Sequence, residues 1–215
     1  MRTIALLTVS NIFMTFAWCG HLAADSPVEV SRVEGRTLIT RGPSKTDAEP
    51  GDKVLLNDVV ETDAASKLDV VWGGAWGCRI LESSRIRITG TETEDQRMEL
   101  EKGGILLHFK AMPKKSEFRV FAPAAIASVR GTEFMVKTYE GKEIGTTIAV
   151  LHGTVTATSI TTELRHKLRP GEAIDIPLSG KRDFLRPITD EERALLSETS
   201  RIRTHFGGEK KSYAG

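Results

Sequence analysis

The chain has 215 residues, and its 30 lysines and arginines almost balance its 29 aspartates and glutamates. A protein that binds nucleic acid presents a concentrated basic face, so this balance argues against nucleic acid as a partner. The length suffices for one ordinary domain with a hydrophobic core, even after removal of a short leader.

The first 24 residues have the pattern of a secretory signal peptide. Arg2 precedes an apolar stretch over residues 4–18, and the small residue Ala24 stands before Asp25. This order predicts export and cleavage after Ala24, giving a periplasmic or extracellular protein with no membrane span after cleavage. The apolar stretch is shorter than the roughly 20 residues that a membrane helix requires. An uncleaved anchor and a lipid on Cys19 stay open as alternatives.

Short β-strand patterns separated by turns follow from residue 28 to residue 177. Residues 85–89 illustrate them, because polar and apolar side chains alternate there with the period of two that a half-buried strand requires. Glycine or proline turns recur between the strands, as at residues 49–52 and 169–172. This spacing predicts an all-β fold of short antiparallel strands in a sandwich, a barrel or a solenoid. The predicted strands span residues 53–62, 67–72, 85–89, 105–110, 117–121, 133–138, 146–151, 154–158 and 172–176.

Residues 25–215 contain one cysteine, Cys78, and four dispersed histidines. A single thiol excludes an internal disulfide and a cysteine-rich zinc site, and the strand-like setting of Cys78 predicts a buried structural thiol. No histidine stands at metal-ligand spacing from another, and no nucleophile stands in a motif that supplies a base. We therefore expect no cofactor, no metal, no catalytic residues and no enzymatic activity. The histidines are His108, His152, His166 and His205.

One helix is predicted near the end of the chain. Thr189 and Glu192 form the pattern of a capping box, and a glycine pair at residues 207–208 provides a stop. These signals place the helix at about residues 190–206.

An apolar stripe on this helix consists of Leu195, Ile202 and Phe206. Such a stripe most often faces a core, so we expect it to pack on the β domain, with docking of a partner as the alternative. The polar residues 209–215 are predicted to form a disordered tail.

Three stretches of the β region carry the residues of a known family. They are EPGDKVLLNDVVETDAASKLDV at residues 49–70, FRVFAPAAIASVRGTEFMV at 118–136, and TTIAVLHGTVTA at 146–157, followed by LRPGEAIDI at 168–176. Together they resemble the FecR-like domain, a periplasmic β module of bacterial cell-surface signalling.

The resemblance implies a two-layer, solenoid-like arrangement of short strands over residues 25–180, with residues 181–215 as a C-terminal extension. The better-known members restrain a sigma factor through a cytoplasmic N-terminal domain and receive their signal from an outer-membrane transporter. Here a signal peptide alone precedes the β region. We therefore expect a stand-alone exported member that lacks the cytoplasmic anti-sigma domain.

The most specific family residues are interpreted as a structural corner. Apolar side chains alternate up to Val129 and resume at Phe134, and Gly131 permits the bulge or sharp turn that would bring both onto one core. Arg130 could instead clamp a carboxylate or phosphate of a ligand. The signature set is Val129, Arg130, Gly131, Thr132, Phe134 and Gly153.

Trp72 and Trp76 flank a glycine-rich turn where the family pattern usually shows aspartate and glycine. Two exposed indoles could stack on sugar rings or anchor a partner. The other interpretation is that they fill the core, since tryptophan is highly buried on average.

The sequence therefore predicts a non-catalytic module for protein interaction, signalling or scaffolding at the cell envelope, with an envelope protein as its partner. A glycan- or cell-wall-binding module that uses Trp72 and Trp76 is the alternative.

Overall fold

The computed structural model describes residues 28–72, 76–92, 95–109, 117–129, 131–141 and 143–202. The predictions for residues 1–24, Arg130 and residues 203–215 lie outside this part of the chain. Seventeen strands occur in the described residues. In chain order they are β1 Val28–Glu34, β2 Thr37–Arg41, β3 Ser44–Asp47, β4 Val59–Thr62, β5 Lys67–Trp72, β6 Trp76–Ile80, β7 Arg85–Glu92, β8 Asp95–Lys102, β9 Gly104–Phe109, β10 Glu117–Phe121, β11 Ala125–Val129, β12 Glu133–Tyr139, β13 Gly145–His152, β14 Val155–Ser159, β15 Arg165–Leu168, β16 Glu172–Pro177 and β17 Phe184–Pro187.

These strands form two sheets whose inner faces enclose the main core. The eight-stranded sheet has the order β1-β5-β6-β9-β12-β13-β16-β17, and the nine-stranded sheet has the order β15-β14-β11-β10-β8-β7-β4-β2-β3. The chain alternates between them: β5 and β6 lie in the first sheet, β7 and β8 in the second, and this exchange continues to β16 and β17. The expected all-β fold is confirmed: short strands form two layers, and the chain moves along both sheets as it alternates between them.

The core follows from the period of two along each strand. In β7, Ile86 and Ile88 are fully buried, whereas the intervening Arg87 is not. Trp76, Phe118 and Phe134 are among the largest fully buried side chains. The predicted burial of Cys78 is confirmed, and burial raises the pKa of its thiol well above the ordinary value.

One strand pair departs from the antiparallel expectation. Strands β8 and β10 pair in parallel, with Glu117 opposite Asp95. Between them the chain passes through β9 in the other sheet. It therefore returns to the nine-stranded sheet in its original direction, which a direct hairpin cannot achieve.

The predicted strand over residues 53–62 is only half correct, because the observed strand begins at Val59. Asn57 adopts a φ of 68°, outside the β region. Beside it the buried Asp58 accepts hydrogen bonds from the Leu55 amide at 2.8 Å and from Arg41 Nη2 at 2.7 Å. These hydrogen bonds hold residues 55–58 in a turn, so the backbone there does not join the hydrogen-bond ladder of the sheet.

The β domain also extends beyond its predicted end at residue 180. Strand β17 pairs antiparallel with β16, with Ala173 opposite Arg186. The sheet edge therefore lies at residues 184–187 rather than before them.

The C-terminal helix begins as predicted and is shorter than predicted. Helix α1 spans Asp190–Leu196 behind a complete Thr189–Glu192 capping box, and a 3₁₀ helix follows over Ser197–Arg201. We call residues 190–202 the C-terminal clasp. Neither helix of the described part of the chain is long and apolar enough to cross a membrane.

Candidate functional site

The family signature forms a corner where the chain crosses from the nine-stranded to the eight-stranded sheet. Val129 ends β11 and Phe134 follows in β12, and both side chains lie in the main core. Gly131 between them has a φ of +68°, a conformation that side chains disfavour. This is the corner geometry expected from the interrupted apolar alternation. Arg130 lies outside the described residues.

A second crossing packs against the first. Gly153, with a φ of +82°, connects β13 to β14. A side chain at Gly153 would meet Thr132 Cγ2 at 2.5 Å and the carbonyl oxygen of Gly131 at 2.9 Å. The two signature glycines therefore allow two corners to touch, and Thr132 is 2% exposed between them.

The two tryptophans belong to the core. Trp76 is fully buried and Trp72 is 3% exposed. The Trp76 indole Nε1 donates to Gln96 Oε1 at 2.9 Å, and its ring meets Phe118 edge to face at 4.6 Å between centroids. Stacking on a sugar requires an open ring face. Both residues therefore fill the core, which was the second of the two interpretations, and neither offers an open ring face for the alternative of glycan binding.

The outer face of the eight-stranded sheet is covered by the C-terminal clasp. Leu196 is fully buried and Ile202 is 4% exposed, and both pack with Leu106 and Met135 in a second apolar cluster. The predicted stripe therefore does face the β domain at Ile202, with Leu195 partly buried beside it. Its third member, Phe206, lies outside the described residues.

Buried charge fastens the clasp to the sheet. Asp69 and Arg79, each 4% exposed, form a two-bond pair at 2.7 and 2.8 Å. The remaining Arg79 nitrogen Nη1 donates to Glu198 Oε2 at 2.8 Å, and Lys67 reaches the same oxygen at 3.1 Å. Each of these partners offsets the free-energy cost of removing the neighbouring charge from water.

Glu133, which lies between Thr132 and Phe134 of the signature, makes a third connection to the clasp. Its carboxylate accepts from Thr199 Oγ1 at 3.2 Å and lies 2.9 Å from His152 Nδ1. His108 Nδ1 lies 2.8 Å from the other carboxylate oxygen, out of line for a hydrogen bond. Burial alone would raise the pKa of Glu133, but these polar neighbours hold it below its ordinary value. Two histidines that are 44 positions apart in the sequence thus meet on one carboxylate.

An open cavity lies where edge strands of the two sheets meet. A cavity of about 590 Å³ lies beside β15, an edge strand of the nine-stranded sheet, and β17, an edge strand of the eight-stranded sheet. We call it the edge groove. Its lining includes three apolar side chains that are more than half exposed: Leu164 at 55%, Phe184 at 63% and Leu185 at 53%.

A polar pair, His166 and Asp183, lies in the edge groove. His166 Nε2 is 2.7 Å from Asp183 Oδ2, and the Asp183 side chain is 3% exposed. The second carboxylate oxygen, Oδ1, is buried and has no hydrogen-bond partner among the described residues. A buried acceptor without a partner raises the free energy of the folded state.

The rim of the edge groove is basic. Lys181 and Arg182 line the groove, and Arg165 and Lys167 of β15 stand on either side of the lining residue His166 in the sequence; all four are exposed. Lys181 is paired with Glu143 at 3.3 Å, whereas Arg165 and Lys167 have no ion-pair partner within the described part of the chain. A basic rim around apolar side chains favours an acidic, partly apolar ligand.

Sequence reasoning missed this groove. The only signal is the adjacent apolar pair Phe184-Leu185 within a polar stretch that the predicted domain boundary at residue 180 excluded. The described residues contain no group of three or more His, Cys, Asp or Glu side chains placed to hold a metal ion.

Comparison with known proteins agrees with the sequence signature. The model of the family described as FecR protein matches residues 58–156. A model described as a putative member of the DMT superfamily (DUF486) matches residues 3–33, of which only residues 28–33 belong to the described part of the chain. No curated protein matches the chain.

Two crystal structures of a protein described as a putative anti-sigma factor from Parabacteroides distasonis ATCC 8503 share the fold. The structures at 2.50 Å and 1.65 Å resolution match with TM-scores of 0.56 and 0.55, each at 17% sequence identity. Each match covers 65% of this chain and 64% of the anti-sigma chain, so this chain spans less than two thirds of that protein. At this identity the likeness concerns the fold alone. The family match over residues 58–156 and the shared fold support a FecR-like domain in this part of the chain.

Proposed function

We propose that this protein is an exported, non-catalytic module that binds a protein partner in signalling or scaffolding at the cell envelope. The FecR-like domain and its likeness to the fold of an anti-sigma factor support a regulatory role through protein interaction. The signal-peptide pattern of residues 1–24 supports the envelope location.

The observation that carries the proposal is the edge groove. Monomeric proteins rarely leave large apolar side chains grouped and exposed without a binding role. Leu164, Phe184 and Leu185 are grouped in one cavity, whereas the two tryptophans, which were the other candidates for contact, are buried.

Site-directed photo-crosslinking in the native host tests the proposed interaction. A photoreactive residue at Leu164 or Phe184 should form specific protein crosslinks. The matched control is the same residue at Thr46, an exposed position of β3 at the other edge of the nine-stranded sheet. Equal crosslinking from both edges, or none from the groove, would remove the groove as an interaction site.

N-terminal sequencing tests the location. Protein recovered from the host should begin near Asp25. Recovery of an intact Met1 terminus from the cytoplasm contradicts export.

A further inference from the structure

The free edge of β15 presents backbone groups that pair with no strand of the described residues. The Ser159 amide donates to the Leu164 carbonyl, and the Ile160 amide donates to Ala124 beyond β11. Backbone groups alternate in direction along a strand, so His166 and Leu168 face β14. Arg165 and Lys167 therefore direct their N–H and C=O groups outward, toward the edge groove.

The two faces of β15 differ in chemistry. Leu168 lies in the main core, and His166, two residues earlier, lies on the same side and lines the groove. The side chains of Arg165 and Lys167 point to the outer face and are exposed. A strand placed beside β15 would therefore meet apolar surroundings on one face and two positive charges on the other.

Strands β16 and β17 of the facing sheet form one wall of the space beside β15. Strand β15 contacts β16 of the facing sheet, and β17 is paired to β16 on the outer side. Phe184 and Leu185 of β17 line the cavity together with Leu164. A tenth strand would thus cover exposed apolar side chains.

A second copy of this chain fits the edge poorly. Pairing two β15 edges antiparallel would bring Arg165 and Lys167 of one copy against the same residues of the other. Like charges opposite one another destabilise a strand pair, and basic edge residues are a known means by which proteins prevent self-association. The same charges attract an acidic strand.

We propose that the free edge of β15 binds an extended segment of a partner protein in which acidic and apolar side chains alternate. The segment adds a strand to the nine-stranded sheet. Its apolar side chains enter the edge groove, and its acidic side chains lie beside Arg165 and Lys167. This assignment rests on the proposed function, because it gives the chemistry of the partner that the module binds.

Peptide binding to the full-length chain tests the proposal. The probe is a blocked, fluorescent peptide of about seven residues that alternates valine and glutamate, long enough to span a short strand. It should bind saturably, and a peptide that alternates valine and lysine should not. The double variant Arg165→Glu, Lys167→Glu should lose at least about tenfold in affinity for the glutamate peptide and bind the lysine peptide instead.

A proline substitution tests the backbone contact. Lys167→Pro removes an outward N–H without removing a hydrogen bond of the sheet, and should weaken binding by about tenfold. The matched control is Lys45→Pro on β3, whose N–H also points outward because Ala48, three residues on, donates to Thr37 of β2. It should leave peptide binding unchanged. The thermal midpoint of each variant verifies folding.

Three results of the peptide experiments overturn the inference: no binding of the glutamate peptide, equal binding of both peptides, or equal affinity in Lys167→Pro and Lys45→Pro. A concentration-dependent dimer that is lost in Lys167→Pro would assign the edge to a second copy and overturn it as well. If groove crosslinks form in the host while the peptide fails to bind, the proposed function stands and this partner chemistry falls.

Discussion

The C-terminal clasp buries its apolar side chains against the eight-stranded sheet, whereas the edge groove leaves its apolar side chains exposed to solvent. In the clasp, Leu196 is fully buried on the outer face of the eight-stranded sheet, and buried ion pairs fasten the helix above it. In the groove, Phe184 is 63% exposed, only six residues before the helix begins. A substitution in the first region should therefore change the free energy of unfolding, and a substitution in the second should change binding alone.

The largest expected loss of stability comes from the ion pairs that join the sheet to the clasp, those of Arg79 with Asp69 and Glu198. Asp69→Ala leaves Arg79 buried without its two-bond partner, and should lower the free energy of unfolding by about 3–5 kcal/mol. Denaturant unfolding measures it. The control is Arg32→Ala, which removes an ion pair to Glu34 that is about half exposed and should cost no more than about 0.5 kcal/mol. Equal midpoints for the two variants would show that the buried pair does not fasten the clasp.

The apolar contact of the clasp should give the next largest effect. Leu196→Ala removes a fully buried side chain from the second apolar cluster, at an expected cost of about 2–5 kcal/mol. Leu195→Ala, at the partly buried neighbour, should cost clearly less. Hydrogen exchange of the α1 amides and the denaturant midpoint report both. A larger loss from Leu195→Ala would mean that the helix is rotated from the described orientation.

Acid should loosen the clasp by a smaller amount. Arg186 and the capping box hold the pKa of Glu192 below its ordinary value of 4.5. Burial raises the pKa of Glu198, but Lys67 and Arg79 outweigh it and lower the pKa overall. A lowered folded-state pKa contributes stability above pH 4.5 that is lost as the pH falls through the lowered value.

The measurement is hydrogen exchange of the α1 amides as the pH is lowered from 6 to 3, corrected for the intrinsic pH dependence of exchange. Protection should decrease below about pH 4.5. The variant Glu198→Gln should show a weaker pH dependence because one of the titrating groups is absent. Protection that is independent of pH in the unmodified protein would show that Glu192 and Glu198 do not stabilise the clasp.

The smallest effect on stability is expected in the groove. Phe184→Ala removes a side chain that is mostly exposed and should change the free energy of unfolding by no more than about 0.5 kcal/mol. The same variant should weaken peptide binding and reduce crosslinking from Leu164. A loss of stability comparable to that of Leu196→Ala would place Phe184 in the fold and erase the contrast between the two regions.

The sequence by itself determined the features that depend on local periodicity. Alternation over residues 85–89 fixes which side chains of β7 enter the core, and the Thr189–Glu192 spacing sets the start of α1. The predicted bounds of β5 and β10 agree with the observed ones because turn residues flank both strands. The interrupted alternation around Gly131 likewise indicated a corner before the structure showed its positive φ.

Only the tertiary structure decided which surfaces are closed and which are open. No pattern around Trp72 and Trp76 reveals that Phe118, more than 40 residues away, lies against Trp76 and helps to bury it. The groove depends on the meeting of β15 and β17, which belong to different sheets. Strand propensity is local, whereas exposure depends on which strands become neighbours and on what the chain places over them. The sequence therefore indicated a FecR-like β module, and the packing of two sheet edges formed the groove in which we propose that a partner binds.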